Sequence, residues 1–144
     1  MTPRLASLAR DRTGSVAIEF GIIAPAFLMM LLGVFQVGVW MQAYNAMRNA
    51  VAATARSVSV EYQTDNKLTD SQIANTGLAV ATTDPYRLDA DSIVVDVDTP
   101  ATQPFPGARQ LTLTFTYQMP SFLSFAGIPG PSISYSRSMF VSET

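Results

Sequence analysis

The chain has 144 residues, with 9 Lys+Arg against 11 Asp+Glu, a formal net charge of −2, and neither cysteine nor histidine. That length holds one small globular domain plus an anchor. Without cysteine there is no disulfide framework, thiolate chemistry or cysteine metal site, and without histidine the usual general base and commonest zinc ligand are missing. An enzyme would have to work with carboxylates, lysine or hydroxyls alone. The charge balance and the lack of a Lys/Arg stripe leave no nucleic-acid footprint.

The first element is a short basic leader, with Arg4, Arg10 and Arg12 opposed only by Asp11. It ends in Gly14-Ser15-Val16-Ala17-Ile18-Glu19-Phe20, and an apolar run continues to Trp40. Crossing a bilayer core takes about 20 apolar residues, and Phe20–Trp40 supplies them. The positive-inside tendency keeps the N-terminus cytoplasmic and sends residues after Gln42 to the far side. Trp40 and Tyr44 then fall where an interfacial aromatic belt is expected. A removable signal peptide competes with this reading, but its apolar core is typically only ~7–15 residues. The nearest small-x-small pattern, Ala50-Val51-Ala52, lies well past the run.

Glu19 is the anomaly of this segment. A lone carboxylate at the mouth of a hydrocarbon span is costly, so a partner is expected. Were the chain cut after Gly14, the new amine on Ser15 would lie one turn from Glu19 on the same helix face. Pro25 removes a backbone hydrogen bond inside the span. It is either a tolerated membrane proline or a hinge that lets the helix repack on leaving lipid.

Beyond the span, Ala43, Met47, Ala50, Val51, Thr54 and Val58 recur at three- and four-residue steps, with Asn45, Arg48, Asn49 and Arg56 mostly elsewhere. One helix from about Ser15 to Val58 follows, half in lipid and half laid on a soluble domain. Thr69-Asp70-Ser71-Gln72 has the form of a capping box and predicts a short helix over Asp70–Ala81. The period then changes to two. Ile93, Val95 and Val97 alternate with aspartates, Leu111–Tyr117 with threonines, and Ile133–Val141 with serines. These three strands predict an antiparallel sheet with one face on the long helix, an α+β fold.

Other constellations carry less. Asp84, Asp89, Asp91, Asp96 and Asp98 could offer oxygen to calcium, but their spacing matches no EF-hand loop. In the Pro/Gly-rich connection Met119–Ser132, the apolar Phe122, Leu123, Phe125 and Ile128 either fold back over the sheet or form an exposed patch that docks another subunit. Arg137 falls on the apolar phase of its strand, where it snorkels, pairs with an aspartate or marks an edge. Neither a catalytic nor a metal constellation emerges.

The stretch Arg12-Thr13-Gly14-Ser15-Val16-Ala17-Ile18-Glu19-Phe20, followed by Ala24-Pro25 and a Leu/Met-rich span, resembles the opening of TadE-like pseudopilins of tight-adherence (Flp, type IVc) pilus systems. The resemblance is specific over residues 10–58, weak at Ser136-Arg137-Ser138-Met139 and only architectural between. It implies a basic leader over residues 1–14, a transmembrane helix over 15–42 and an extracytoplasmic pilin-like domain over 43–144. It further implies cleavage by a prepilin peptidase between Gly14 and Ser15, with Glu19 and Phe20 following as the assembly acid and aromatic. A minor-pilin role, without enzymatic activity or cofactor, is the function so implied. Its partners would be the peptidase, other pilin or pseudopilin subunits, the inner-membrane assembly platform and membrane lipid. Its place would be the bacterial inner membrane, with passage into an extracellular pilus. The readings from other classes are an uncleaved membrane scaffold of a secretion or pilus apparatus and, more remotely, a membrane-anchored hydrolase.

Overall fold

The computed structural model describes residues 13–122, 124 and 127–142. In chain order it holds α1 (Thr13–Gln63), α2 (Asp70–Thr82), a 3-10 turn (Ala90–Ser92), β1 (Ile93–Asp98), β2 (Ala108–Gln118) and β3 (Ser132–Ser142). A long apolar N-terminal helix with a small antiparallel sheet is the expected α+β class. Arg4, Arg10 and Arg12 of the leader lie outside the described residues. Two compact units meet between Val37 and Gly38.

In the second unit, α1 is amphipathic. Met47, Ala50, Val51, Thr54 and Val58 are buried, while Asn45, Arg48, Asn49 and Arg56 are exposed. Thr54 is tolerated in that stripe because its hydroxyl donates to the Ala50 carbonyl at 2.8 Å, leaving no unpaired polar atom. The helix runs five residues beyond the expected Val58, and the cause is Tyr62. Its ring is buried in the core, and its hydroxyl donates to the Leu68 carbonyl at 2.9 Å, so the last turn is held by packing. Termination is a Schellman arrangement: Asn66 N–H bonds the Glu61 carbonyl at 3.0 Å and Asp65 N–H the Tyr62 carbonyl at 3.3 Å. Asp65 takes the left-handed conformation (φ 62°) that such an ending demands.

The capping box forms as its residues imply. Thr69 N–H donates to Gln72 Oε1 at 2.8 Å, and Gln72 N–H donates to Thr69 Oγ1 at 3.3 Å. From there α2 buries Ile73, Gly77 and Ala81, one residue per turn. Gly77 lies hard against the sheet: a Cβ there would sit 2.9 Å from Phe115 Cζ and 3.0 Å from Val95 Cγ1.

The sheet order is β1-β2-β3, antiparallel throughout. Leu111, Leu113, Phe115 and Tyr117 of β2 point to the helices, with Ile93 of β1 and Met139 and Val141 of β3 beside them. Thr112, Thr114 and Thr116 point the other way and meet Ser138, Ser136 and Ser134 across the strand, hydroxyl to hydroxyl at 3.2, 2.9 and 2.9 Å. At one end of the sheet, Arg109 binds three elements together. Its Nη2 donates to Asp70 Oδ1 at 2.7 Å and to Thr99 Oγ1 at 3.1 Å, and its Nη1 to the Tyr62 hydroxyl at 3.1 Å.

The close approach at Gly77 has a measurable consequence. Gly77→Val forces Phe115 and Val95 aside, and overpacking of this kind costs about 1–3 kcal/mol, more than the few tenths recovered in helix propensity. Urea unfolding of the detergent-solubilised chain, followed by the fluorescence of Trp40, will show the unfolding free energy fall by that amount and the midpoint move to lower urea at unchanged slope.

Candidate functional site

The residues singled out at the N-terminus lie on the first turns of α1. Ser15 and Glu19 are four apart and therefore share a face. The Ser15 hydroxyl donates to Glu19 Oε1 at 3.3 Å, and among the described residues no other hydrogen bond reaches that carboxylate. Around it the helix is apolar on every side, with Val16, Ile18, Phe20, Ile22 and Ile23 each at least 63% exposed. A helix hydrophobic all round belongs in an apolar surrounding, so Glu19 is an acid set in a surface made for lipid or for other helices. Among the described residues, and apart from its chain neighbours and its own helix backbone, no atom lies within 4 Å of where a Cβ on Gly14 would project.

The helix passes through Pro25 without interruption. Proline has no N–H to offer the carbonyl of Gly21 four residues back. Gln36, the polar interruption of the apolar run, is buried at 2% exposure and so is kept off the apolar surface. By length and composition α1 is able to cross a membrane. At the end of the run the Trp40 indole N–H donates to the Pro120 carbonyl at 2.8 Å, a contact that neither residue announces in the sequence. Nearby, Arg48 lies over two rings, 5.7 Å from the centroid of Tyr44 and 5.4 Å from that of Tyr135.

The aspartates do not converge. Asp84 pairs with Arg87 at 2.7 Å, and Asp89 caps the 3-10 turn by accepting from Asp91 N–H at 3.2 Å and Ser92 Oγ at 3.0 Å. Asp96 and Asp98 stand exposed along β1. Among the described residues no three carboxylates gather in a way that would hold a metal ion. Calorimetric titration of the chain with calcium will accordingly give only heats of dilution, and calcium will not raise the unfolding temperature.

Arg137 occupies the apolar phase opposite Leu113, yet it is exposed, because β3 is an edge strand. It forms no ion pair among the described residues. Of the apolar residues of the loop before β3, part is described. Met119 folds back into the core, but Phe122 and Ile128 remain about half exposed, and Leu123 and Phe125 lie outside the described residues.

A family model described as TadE-like protein matches residues 14–56, from Gly14 through the apolar run and most of the buried stripe of α1. Neither a curated protein nor a solved structure matches the chain. Over that stretch the match is consistent with a TadE-like protein of the tight-adherence pilus system. Such proteins are pilus-related structural proteins, not known as enzymes.

Proposed function

We propose that this chain is the precursor of a minor pilin, matured by a membrane prepilin peptidase that cuts between Gly14 and Ser15. The leader is then residues 1–14, the transmembrane helix 15–42 and the extracytoplasmic domain 43–144. The observation that carries this reading is the half-satisfied carboxylate of Glu19 on an all-apolar helix surface, one turn from Ser15 and within a TadE-like match that begins at Gly14. Gly14 suits the cut because it presents no side chain to an enzyme that must grip an extended backbone. Removal of the leader discards Arg4, Arg10 and Arg12 and leaves an ammonium group on Ser15.

The energetics favour that ammonium as the partner of Glu19. In water an i,i+4 ion pair contributes only about 0.2–0.5 kcal/mol. An acid at the centre of a membrane helix costs about 2.5–3.5 kcal/mol on insertion scales, and an uncompensated charge inside a helix bundle is strongly destabilising. A neighbouring subunit's amine, brought to Glu19 and Phe20 as helices pack, converts that cost into a preference for one register. Pro25 supplies the bend at which the span stretches or repacks when it leaves lipid.

Two measurements test this. Intact-mass analysis of the chain purified from its host membrane will show loss of Met1–Gly14; a mature form that keeps the leader favours an uncleaved membrane scaffold and ends the pilin reading. Glu19→Gln will still be processed, yet its recovery in sheared pili will drop roughly tenfold, the equivalent of ~1.4 kcal/mol per insertion. Unchanged recovery rules out the register role.

A further inference from the structure

We infer that the loop between β2 and β3 makes a second contact with the bilayer, with Phe122 and Ile128 seated in the interfacial layer beside the point where α1 leaves the membrane. The inference rests on the reading that α1 spans a bilayer. It concerns a different segment of the chain.

The position of the loop comes from Trp40. This residue closes the apolar run, and an indole ring, apolar in body with one polar N–H, prefers the boundary between hydrocarbon and water. Its N–H donates to the Pro120 carbonyl at 2.8 Å, so the start of the loop stands at the level of that boundary. Phe122 follows two residues later, within ~7 Å of chain. Ile128 belongs to the same level because the loop is pinched shut. Ser121 Oγ donates to the Ile128 carbonyl at 2.7 Å, Met119 N–H to the Pro131 carbonyl at 3.0 Å, and Gln118 Nε2 to the Gly130 carbonyl at 2.7 Å.

Chemistry selects lipid as the occupant. Phe122 is 50% exposed and Ile128 48% exposed, and no charged residue occurs between Arg109 and Arg137. An interfacial layer accepts apolar side chains that have no charged residue in their own loop, whereas the rim of a protein interface is polar. Arg87, which lines one groove with Val39 and Pro120, is paired with Asp84 at 2.7 Å. Exposure alone would not single out this loop, since Phe105 and Phe140 are also exposed, with ring centroids 6.0 Å apart. That pair sits by the start of β2, a strand of eleven residues, and so about 33 Å from the loop at ~3.3 Å per residue. Its neighbours at that end include the Arg109–Asp70 ion pair.

The absence of native cysteine makes a direct test clean. Nitroxide labels are placed on Phe122→Cys and Ile128→Cys, with Leu28→Cys in mid-span and Phe105→Cys as references. The labelled chains are reconstituted at low density in phosphatidylethanolamine–phosphatidylglycerol vesicles. Power saturation then compares access by oxygen, which concentrates in lipid, with access by a water-soluble nickel chelate. The oxygen-to-nickel ratio at 122 and 128 is expected several-fold above that at 105 and below that at 28. A ratio equal to that at 105, with position 28 still in lipid, overturns the loop contact alone. Poor access by both reagents at 122 and 128 also overturns it and points to a protein partner. If position 28 itself is open to the nickel chelate, the membrane-spanning reading has failed, and the loop contact falls with it.

Discussion

Between Thr13 and Gln63 α1 runs as one helix, its hydrogen-bond ladder missing a donor at Pro25, and that continuity lets one element carry side chains suited to two surroundings. A helix in hydrocarbon must satisfy every backbone group internally and can be apolar on all sides. A helix laid on a sheet needs an apolar stripe only on the side it buries. In this chain the first condition holds around Glu19 and the second from Met47 onward, with Gln36 withdrawn from the surface and Trp40 bonded to Pro120 between them. The rest of the chain depends on that change of surroundings, because the sheet exists to cover the stripe. Phe115, Leu113 and Leu111 are fully buried where α1 and α2 meet them.

This division accounts for what the residues disclosed. Periodicity is a direct signature of which side is buried, so the stripe from Met47 to Val58, the three alternating strands and the Thr69–Gln72 cap could all be read before any coordinates. What escaped depends on contacts distant in sequence. Tyr62 extends α1 because its ring finds a core and its hydroxyl finds Leu68, and nothing local in Ser59–Gln63 announces this. Arg109 looks like an ordinary strand residue until Asp70, Thr99 and Tyr62 surround it. Gly77 left a faint trace, since two of the three residues along the buried face of α2, Gly77 and Ala81, are small. The site at Ser15 and Glu19 was legible because its parts are neighbours in sequence, whereas the Trp40–Pro120 bond joins residues 80 apart.

The similarity to TadE-like proteins follows the same boundary. It runs from Gly14 to Arg56, covering the part of α1 on which the physical demands are narrowest: an acid at one position, an apolar surface of membrane length, then small and medium side chains along one stripe. The sheet answers a looser demand. Many alternating sequences can cover a helix stripe, so its identity is set by volume matching, as at Gly77 and Phe115, more than by any motif.

The hydroxyl ladder between β2 and β3 leaves one question to the opposite side of the sheet. Thr-x-Thr-x-Thr facing Ser-x-Ser-x-Ser is a degenerate code: sliding β3 by two residues would keep two of its three hydroxyl pairs in one direction and, with Ser132 entering the ladder, all three in the other. The outer side therefore carries almost no information about alignment. Part of that information lies with Tyr135, whose ring stands edge-on to Tyr44 at 6.5 Å and under Arg48. A slide of two residues would pull Tyr135 out of that seat, move Met139 and Val141 from their places in the core and set Arg137 opposite Phe115 or Leu111 in place of Leu113, so the inward side chains keep the strands in step.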